Sequence, residues 1–227
     1  MEIPKSDALI FDGFGTLFDL SSASPAFERI VPGRGLEVLN WWRAKQLAYT
    51  RQCILTRQYK NLSELMMRAL EDVSKHFRVE ISSEMRTTLC AQYFTLTAFP
   101  EVPDVLNALR KDHKLILLSH GTQAMLDGVV AHNQLTPLLD AVLSVDAVRA
   151  YKPESKAYEL ARERLNLPAS SCAYIGGNPF DIAGAKGFGM KTIWLHRGIP
   201  PMALMNLITD ESITSLKDLL SHGCLID

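Results

Sequence analysis

Two regimes of apolar patterning divide the chain. Short apolar runs occur at residues 8–11, 114–118, 141–145, 172–175 and 191–195. From residue 98 onward they alternate with segments of helical spacing at 102–111, 123–132, 155–165 and 181–188. Continuous rather than alternating runs suit parallel strands covered on both faces. Gly189 follows the last of these helical segments and offers a stop. Strand–helix alternation of this kind predicts an α/β fold with a doubly wound parallel sheet.

Residues 21–97 break that rhythm. Their apolar positions recur at steps of three and four, as in Leu36, Leu39, Trp42 and Leu47, then Leu62, Leu65, Met66, Ala69 and Leu70. Such spacing predicts four or so helices inserted after the first strand. Pro100 and Pro103 mark the return to the sheet. The expected division is a core domain of residues 1–17 and 98–227 and a helical cap of residues 18–97. An insertion at a strand's carboxyl end lies over the crevice where open α/β sheets bind ligands, and there it can exclude water.

Composition narrows the function classes. The 227 residues are 47% hydrophobic and 22% charged, with a formal net charge of −1 and no basic run. Neither nucleic acid nor an anionic membrane has an electrostatic case. No apolar stretch approaches the roughly 20 residues of a membrane span. The opening MEIPKSDALIFDGFG reads as a first strand ending on an acid rather than a signal peptide. Cys53, Cys90, Cys172 and Cys224 show no CxxC spacing, so they read as separate reduced thiols, which suits the cytoplasm.

The chemistry-bearing residues stand where the strands end. The first strand leads into Asp12-Gly13-Phe14-Gly15-Thr16, the second into Ser119-His120-Gly121, the third into Tyr151-Lys152-Pro153, and the fourth into Gly176-Gly177-Asn178-Pro179-Phe180-Asp181. Each alone has an ordinary reading: a turn aspartate, a helix cap at Ser119 or Asp181, a solvated lysine. Four consecutive strand ends supplying a carboxylate, a hydroxyl, an ammonium and an amide-plus-acid point to one site.

The segments FDGFGTLFD, LLSHG, VRAYKP and IGGNPFDIAGAKGFGMKT resemble, in order and spacing, the four motifs of the haloacid dehalogenase superfamily. The likeness spans nearly the whole chain. Within it, Trp42-Arg43-x-Lys45-Gln46-Leu47-x-Tyr49-Thr50, AYKPESKAYELA and GAKGFGMKTIW resemble the (S)-2-haloacid dehalogenases. The phosphatases of that superfamily carry a second Asp two residues after the nucleophile and a further metal-binding Asp in the fourth motif. Here these positions are Phe14 and Gly177. Asp12 and Asp181 alone would hold Mg²⁺ poorly, and phosphoryl transfer relies on that metal. No metal and no cofactor are therefore expected.

The resemblance implies that Asp12 attacks the α-carbon of a small 2-substituted carboxylic acid and forms an ester, which water hydrolyses. A single displacement inverts the α-carbon once. Lys152 would keep Asp12 ionised, and Asn178 and Asp181 would position the water. Ser119 and the N–H groups after it, through Gly121, would hold the substrate carboxylate, with Thr16 supporting the loop. Arg43 would reach from the cap to the leaving group. Phe14, Trp42 and Phe180 are candidate pocket walls, and Phe14 would strip water from the nucleophile. Tyr158 reads equally as substrate contact or helix packing. A homodimer through the cap helices is implied by resemblance alone.

This chain departs from the dehalogenase pattern at His120, which stands where Asn is usual, at Gly176 and Gly177, where serines are usual, and at Phe14, where Tyr is usual. An imidazole of ordinary pKa near 6.5 could protonate a nitrogen or fluoride leaving group. That keeps open a related enzyme that opens azetidine-2-carboxylate by breaking a C–N bond. A binding protein that kept the fold and lost the reaction is the alternative from another class.

Overall fold

The computed structural model describes residues 6–197 and 209–221. The six-stranded sheet is built from β1 (Ala8–Phe11), β4 (Lys114–Ser119), β5 (Ala141–Ser144), β6 (Cys172–Gly176), β7 (Lys191–Leu195) and β8 (Glu211–Ile213), in the order β5-β4-β1-β6-β7-β8. Every pairing is parallel. The five strands expected from apolar runs are present, and β8 adds a sixth at the edge.

Side-chain alternation along β1 explains how both faces are covered. Leu9 and Phe11 belong to one buried cluster, Ala8 and Ile10 to another. On the Leu9 side pack α5 (Val102–Leu109), α6 (Gln123–His132) and α9 (Asp218–Ser221), through Val105, Leu126 and Leu219. On the Ile10 side pack α7 (Ser155–Leu165) and α8 (Pro179–Gly187), through Ala157, Ala161 and Ile182. This is the doubly wound α/β arrangement.

Between β1 and α5 the chain crosses a short antiparallel ribbon, β2 (Phe18–Asp19) with β3 (Thr97–Ala98). The helices α1 (Ser24–Glu28), α2 (Gly35–Thr56), α3 (Leu62–Phe77) and α4 (Ser83–Ala91) lie between these two strands. The start of α3 is set by a capping box, in which Asn61 accepts from the Glu64 N–H and Glu64 accepts from the Asn61 N–H. The four helices share a core built on Phe27, Val38, Leu39, Trp42, Met66, Leu70 and Leu89, with Tyr93 just after α4.

Among the described residues no helix is long and apolar enough to cross a membrane. Cys53, Cys90 and Cys172 are free thiols. Cys224 and residues 1–5 lie outside the described residues.

Candidate active site

The carboxyl ends of β4, β1 and β6 are adjacent and in register, with Phe11 opposite both Leu117 and Ile175. That alignment brings Asp12, Ser119 and the 176–181 loop to one level. The Asp12 N–H donates to the Ile175 carbonyl at 2.9 Å, which fixes where the carboxylate emerges. Gly15 then turns the chain with φ of +91°, a conformation that side chains resist. The turn returns Thr16 beneath Asp12.

Lys152 is the hub. Its ammonium is fully buried and lies 2.6 Å from Asp12 Oδ1, 2.7 Å from the Tyr174 hydroxyl, 3.0 Å from Asp181 Oδ2 and 3.2 Å from the Leu118 carbonyl. Burial works against the charged form, but Asp12 and Asp181 outweigh it and raise the Lys152 pKa. The ammonium is therefore kept charged at neutral pH. Tyr174 completes the cluster. Burial, then the Asp181 and Asp12 charges, drives its pKa well above the ordinary phenol value, so it stays neutral and donates toward Asp181 at 3.4 Å. Sequence reasoning missed Tyr174 because it sits inside a strand buried on both faces. The available signal was its hydroxyl, which needs a polar partner when buried.

The Thr16 hydroxyl donates to Asp12 Oδ2 at 3.2 Å and accepts from the Gly177 N–H at 3.1 Å. It ties the first motif to the last. Asn178 caps α8, accepting from the Phe180 N–H at 3.0 Å. At this end of the sheet four buried side-chain polar atoms have no protein partner: Ser119 Oγ, Asp181 Oδ1, His196 Nδ1 and Arg197 Nε. Orphaned buried acceptors and donors cost stability, and beside a cavity they mark where a ligand or water completes the set.

That cavity has a volume of about 380 Å³ and is walled by Asp12, Phe14, Arg43, Ser119, His120, Asn178, Phe180 and Asp181. Phe14 packs edge-on against Tyr93, 4.7 Å between centroids, and closes one side with apolar surface. Arg43 hangs from α2 close enough to the buried Tyr93 hydroxyl to oppose the upward shift that burial gives its pKa. Leu20, Leu47, Arg51, Trp194, His196 and Arg197 also line the cavity and were not singled out from sequence. Leu47 and Arg51 were legible from their spacing of four and eight residues from Arg43.

Three expectations need correction. Trp42 is not a cavity wall: it is fully buried in the cap, where its indole N–H donates to the Met66 carbonyl at 3.0 Å and its ring packs on Phe27 and Tyr93. Tyr158 is likewise outside the cavity; its hydroxyl donates to the Asp181 carbonyl at 2.7 Å, so it holds the Asp181 backbone from behind. Gly121 lies under the Phe14 ring, where an added Cβ would come 3.0 Å from Cε2, and does not face the cavity.

His120 also differs from expectation. Its Nε2 accepts the Lys152 backbone N–H at 3.0 Å, so the neutral ring carries its proton on Nδ1. Burial first, then the Lys152 and Arg43 charges, pushes its pKa well below 6.5 against the pull of Asp12. The imidazolium needed to protonate a nitrogen leaving group is thus disfavoured at neutral pH.

The donor set does not fit a divalent cation. Asp12 and Asp181 are both turned onto the Lys152 ammonium, position 14 is a phenyl ring and position 177 has no side chain.

Residues 6–189 match the family model described as haloacid dehalogenase-like hydrolase, and the chain belongs to that family. It is 38% identical over 210 residues to an (S)-2-haloacid dehalogenase of Pseudomonas sp. (strain YL), covering 92% of this chain and 90% of that protein. Among solved structures it superimposes on an L-2-haloacid dehalogenase with a TM-score of 0.91 and 33% identity, covering 96% of this chain and 98% of the other. A second, the L-2-haloacid dehalogenase of Xanthobacter autotrophicus with chloropropionic acid covalently bound, gives 0.89 at 30% identity, covering 96% and 99%.

Proposed function

We propose that the chain is a metal-independent (S)-2-haloacid dehalogenase in which Asp12 is the nucleophile. The observation that carries this reading is the Asp12 carboxylate itself. It lies 2.6 Å from a buried ammonium on one side and faces a cavity walled by Phe14 on the other. A carboxylate shielded from water by an apolar wall is a stronger nucleophile toward carbon.

Asp12 Oδ2, whose Thr16 bond is the longer of its contacts, attacks the α-carbon from the face opposite the halogen. The C–O bond forms as the carbon–halogen bond breaks, and the halide leaves with the bonding pair toward Arg43. Ser119 Oγ, free of protein partners, donates to the substrate carboxylate and aims the α-carbon at Asp12. Asp181 Oδ1, equally free, accepts a proton from the water that attacks the ester carbonyl of Asp12. Asn178 helps hold that water. One inversion converts an (S)-2-haloacid to an (R)-2-hydroxy acid. Substrate and product need no protein cofactor.

A neutral His120 favours a halide, which departs without a proton, over the C–N cleavage that would want an acid. A cytoplasmic setting fits the unpaired Cys53, Cys90 and Cys172. A homodimer through the cap helices is further implied by resemblance.

The test is halide release from (S)-2-chloropropanoate in the presence of chelator, comparing wild type with Asp12→Asn. Release by wild type alone, with (R)-lactate as product, supports the reading. No release from folded wild type sinks it.

A further inference from the structure

The displacement reaction leaves two arginines at the cavity unused, Arg197, which is paired with Glu101, and Arg51. α2 presents Arg43, Leu47 and Arg51 at intervals of four residues, and all three line the cavity. Eight residues of helix separate the two arginine backbones by about 12 Å along the axis. Arg43 sits over the buried end beside Tyr93. Arg51 is exposed, whereas Asp12 is buried, so it stands at the mouth.

The guanidinium of Arg51 lies 4.4 Å over the Phe180 ring. Among the described residues no carboxylate pairs with it, although Lys152 is paired with Asp12 and Asp181, and Arg197 with Glu101 at 2.7 Å. Stacking occupies the face of a guanidinium and leaves its N–H edge free, the edge that grips a carboxylate with two hydrogen bonds. Leu20, Leu47 and Trp194 furnish apolar wall in the same cavity. Its volume of about 380 Å³ falls within the size range of pockets that hold drug-sized ligands. A three-carbon acid would leave much of it unfilled.

We propose that Arg51 is a specificity-determining residue that binds the distal carboxylate of an (S)-2-halo dicarboxylic acid of five or six carbons. The inference rests on the dehalogenase reading and names its substrate class. The α-carboxylate lies at Ser119, the methylenes run along Leu47 and Trp194, and the second carboxylate reaches the Arg51 edge. The bond changes are those at Asp12: a C–O bond to C2 replaces the carbon–halogen bond, then water gives the 2-hydroxy dicarboxylate, regenerated Asp12 carboxylate and a proton. Arg51 takes no part in them.

The experiment compares (S)-2-chloroglutarate with the monoanionic (S)-2-chloropentanoate, in wild type, Arg51→Gln and Arg51→Lys. Wild type is expected to favour the dicarboxylate in kcat/KM by about tenfold, the worth of one charged hydrogen-bonded contact. Arg51→Gln removes that ratio through KM, and Arg51→Lys restores part of it. Equal kcat/KM for the two substrates in wild type overturns the proposal. So does an equal loss on both substrates in Arg51→Gln, which would make the residue a clamp on Phe180. Calorimetry of Asp12→Asn with glutarate and pentanoate decides without turnover: tighter glutarate binding that Arg51→Gln abolishes supports the proposal, and equal binding refutes it. Halide release from neither acid would count against dehalogenation, while the calorimetry still decides on Arg51.

Discussion

At the scale of single residues, the site is an exercise in keeping three charges buried together. Lys152 has three protons and four acceptors within 3.2 Å, two of them carboxylates. Lys152→Met leaves Asp12 and Asp181 facing each other unpaired, and breaking a buried pair costs about 3–5 kcal/mol. Urea unfolding should show that loss, and kcat should fall by about 10²–10³-fold. The raised Lys152 pKa implies that its contribution is complete below the unfolded value near 10.4 and is lost only as pH rises through the higher folded value. His120 carries the opposite sign. Lys152, Asp12, Arg43 and Tyr151 surround it, and its folded pKa is depressed. As pH falls through about 6.5 the unfolded chain binds a proton that the folded chain refuses. Stability should therefore decline on acidification with one extra proton taken up on unfolding. His120→Asn should flatten that decline in urea titrations between pH 7 and pH 5.

At the scale of elements, what could be read from sequence was what repeats. Strands β1, β4, β6 and β7 are four to six residues long and mostly apolar, long enough for their character to show. β2 and β3 are two residues each and β8 three, too short for any period, and their strand state comes from the partner they meet. The strand ends at Asp12, Ser119 and the 176–181 loop were legible because each follows an apolar run with polar groups. Trp42 was misplaced because neighbouring helix positions diverge by about 100°, so it and Arg43 cannot both face the cavity. Tyr158 was half legible: its helical position showed, its contact with Asp181 did not. Gly184 shows how closely the elements behind the site are fitted. A Cβ there would come 2.4 Å from Pro153 Cβ and 2.6 Å from the Tyr158 hydroxyl, whereas Gly187 on the same helix has nothing within 4 Å. Gly184→Ala should cost about 1–3 kcal/mol by overpacking and lower kcat, since Pro153 follows Lys152. Gly187→Ala should be neutral or stabilising by about 0.5–1 kcal/mol, because alanine suits a helix better. Thermal melts of the pair separate packing from helix propensity.

At the scale of the whole molecule, the cap is joined to the core at one end by covalent strands and elsewhere by side chains. The β2–β3 ribbon is held to the core by Asn133 at the end of α6, which accepts from the Ala98 N–H at 2.7 Å and donates to the Leu96 carbonyl at 2.8 Å. A second attachment lies in the turn between α2 and α3. There the Tyr59 hydroxyl donates to Asp146 at 2.7 Å, and the Tyr151 hydroxyl donates to the Lys60 carbonyl at 2.7 Å. The two rings also pack against each other, and the Tyr151 ring meets His120 edge-on. This contact adjoins the site, since Tyr151 precedes Lys152 and His120 lines the cavity. A cap that must admit substrate and then exclude water needs an attachment that can break without unfolding either part. The two hydrogen bonds, worth about 1 kcal/mol each, add a directional hold that opens more readily than the apolar contacts, such as Phe14 with Tyr93, that the cap also makes. Tyr59→Phe removes one bond and keeps the ring stack. It should raise KM about threefold to tenfold, as a closed state weakened by about 1 kcal/mol requires, while kcat stays within about twofold because the groups touching the α-carbon are unmoved. Hydrogen exchange at residues 57–61 should quicken, with global stability lowered by about 1 kcal/mol. A fall in kcat at constant KM would instead place Tyr59 in the alignment of Lys152, making the tyrosine pair a support for the nucleophile rather than a latch on the cap.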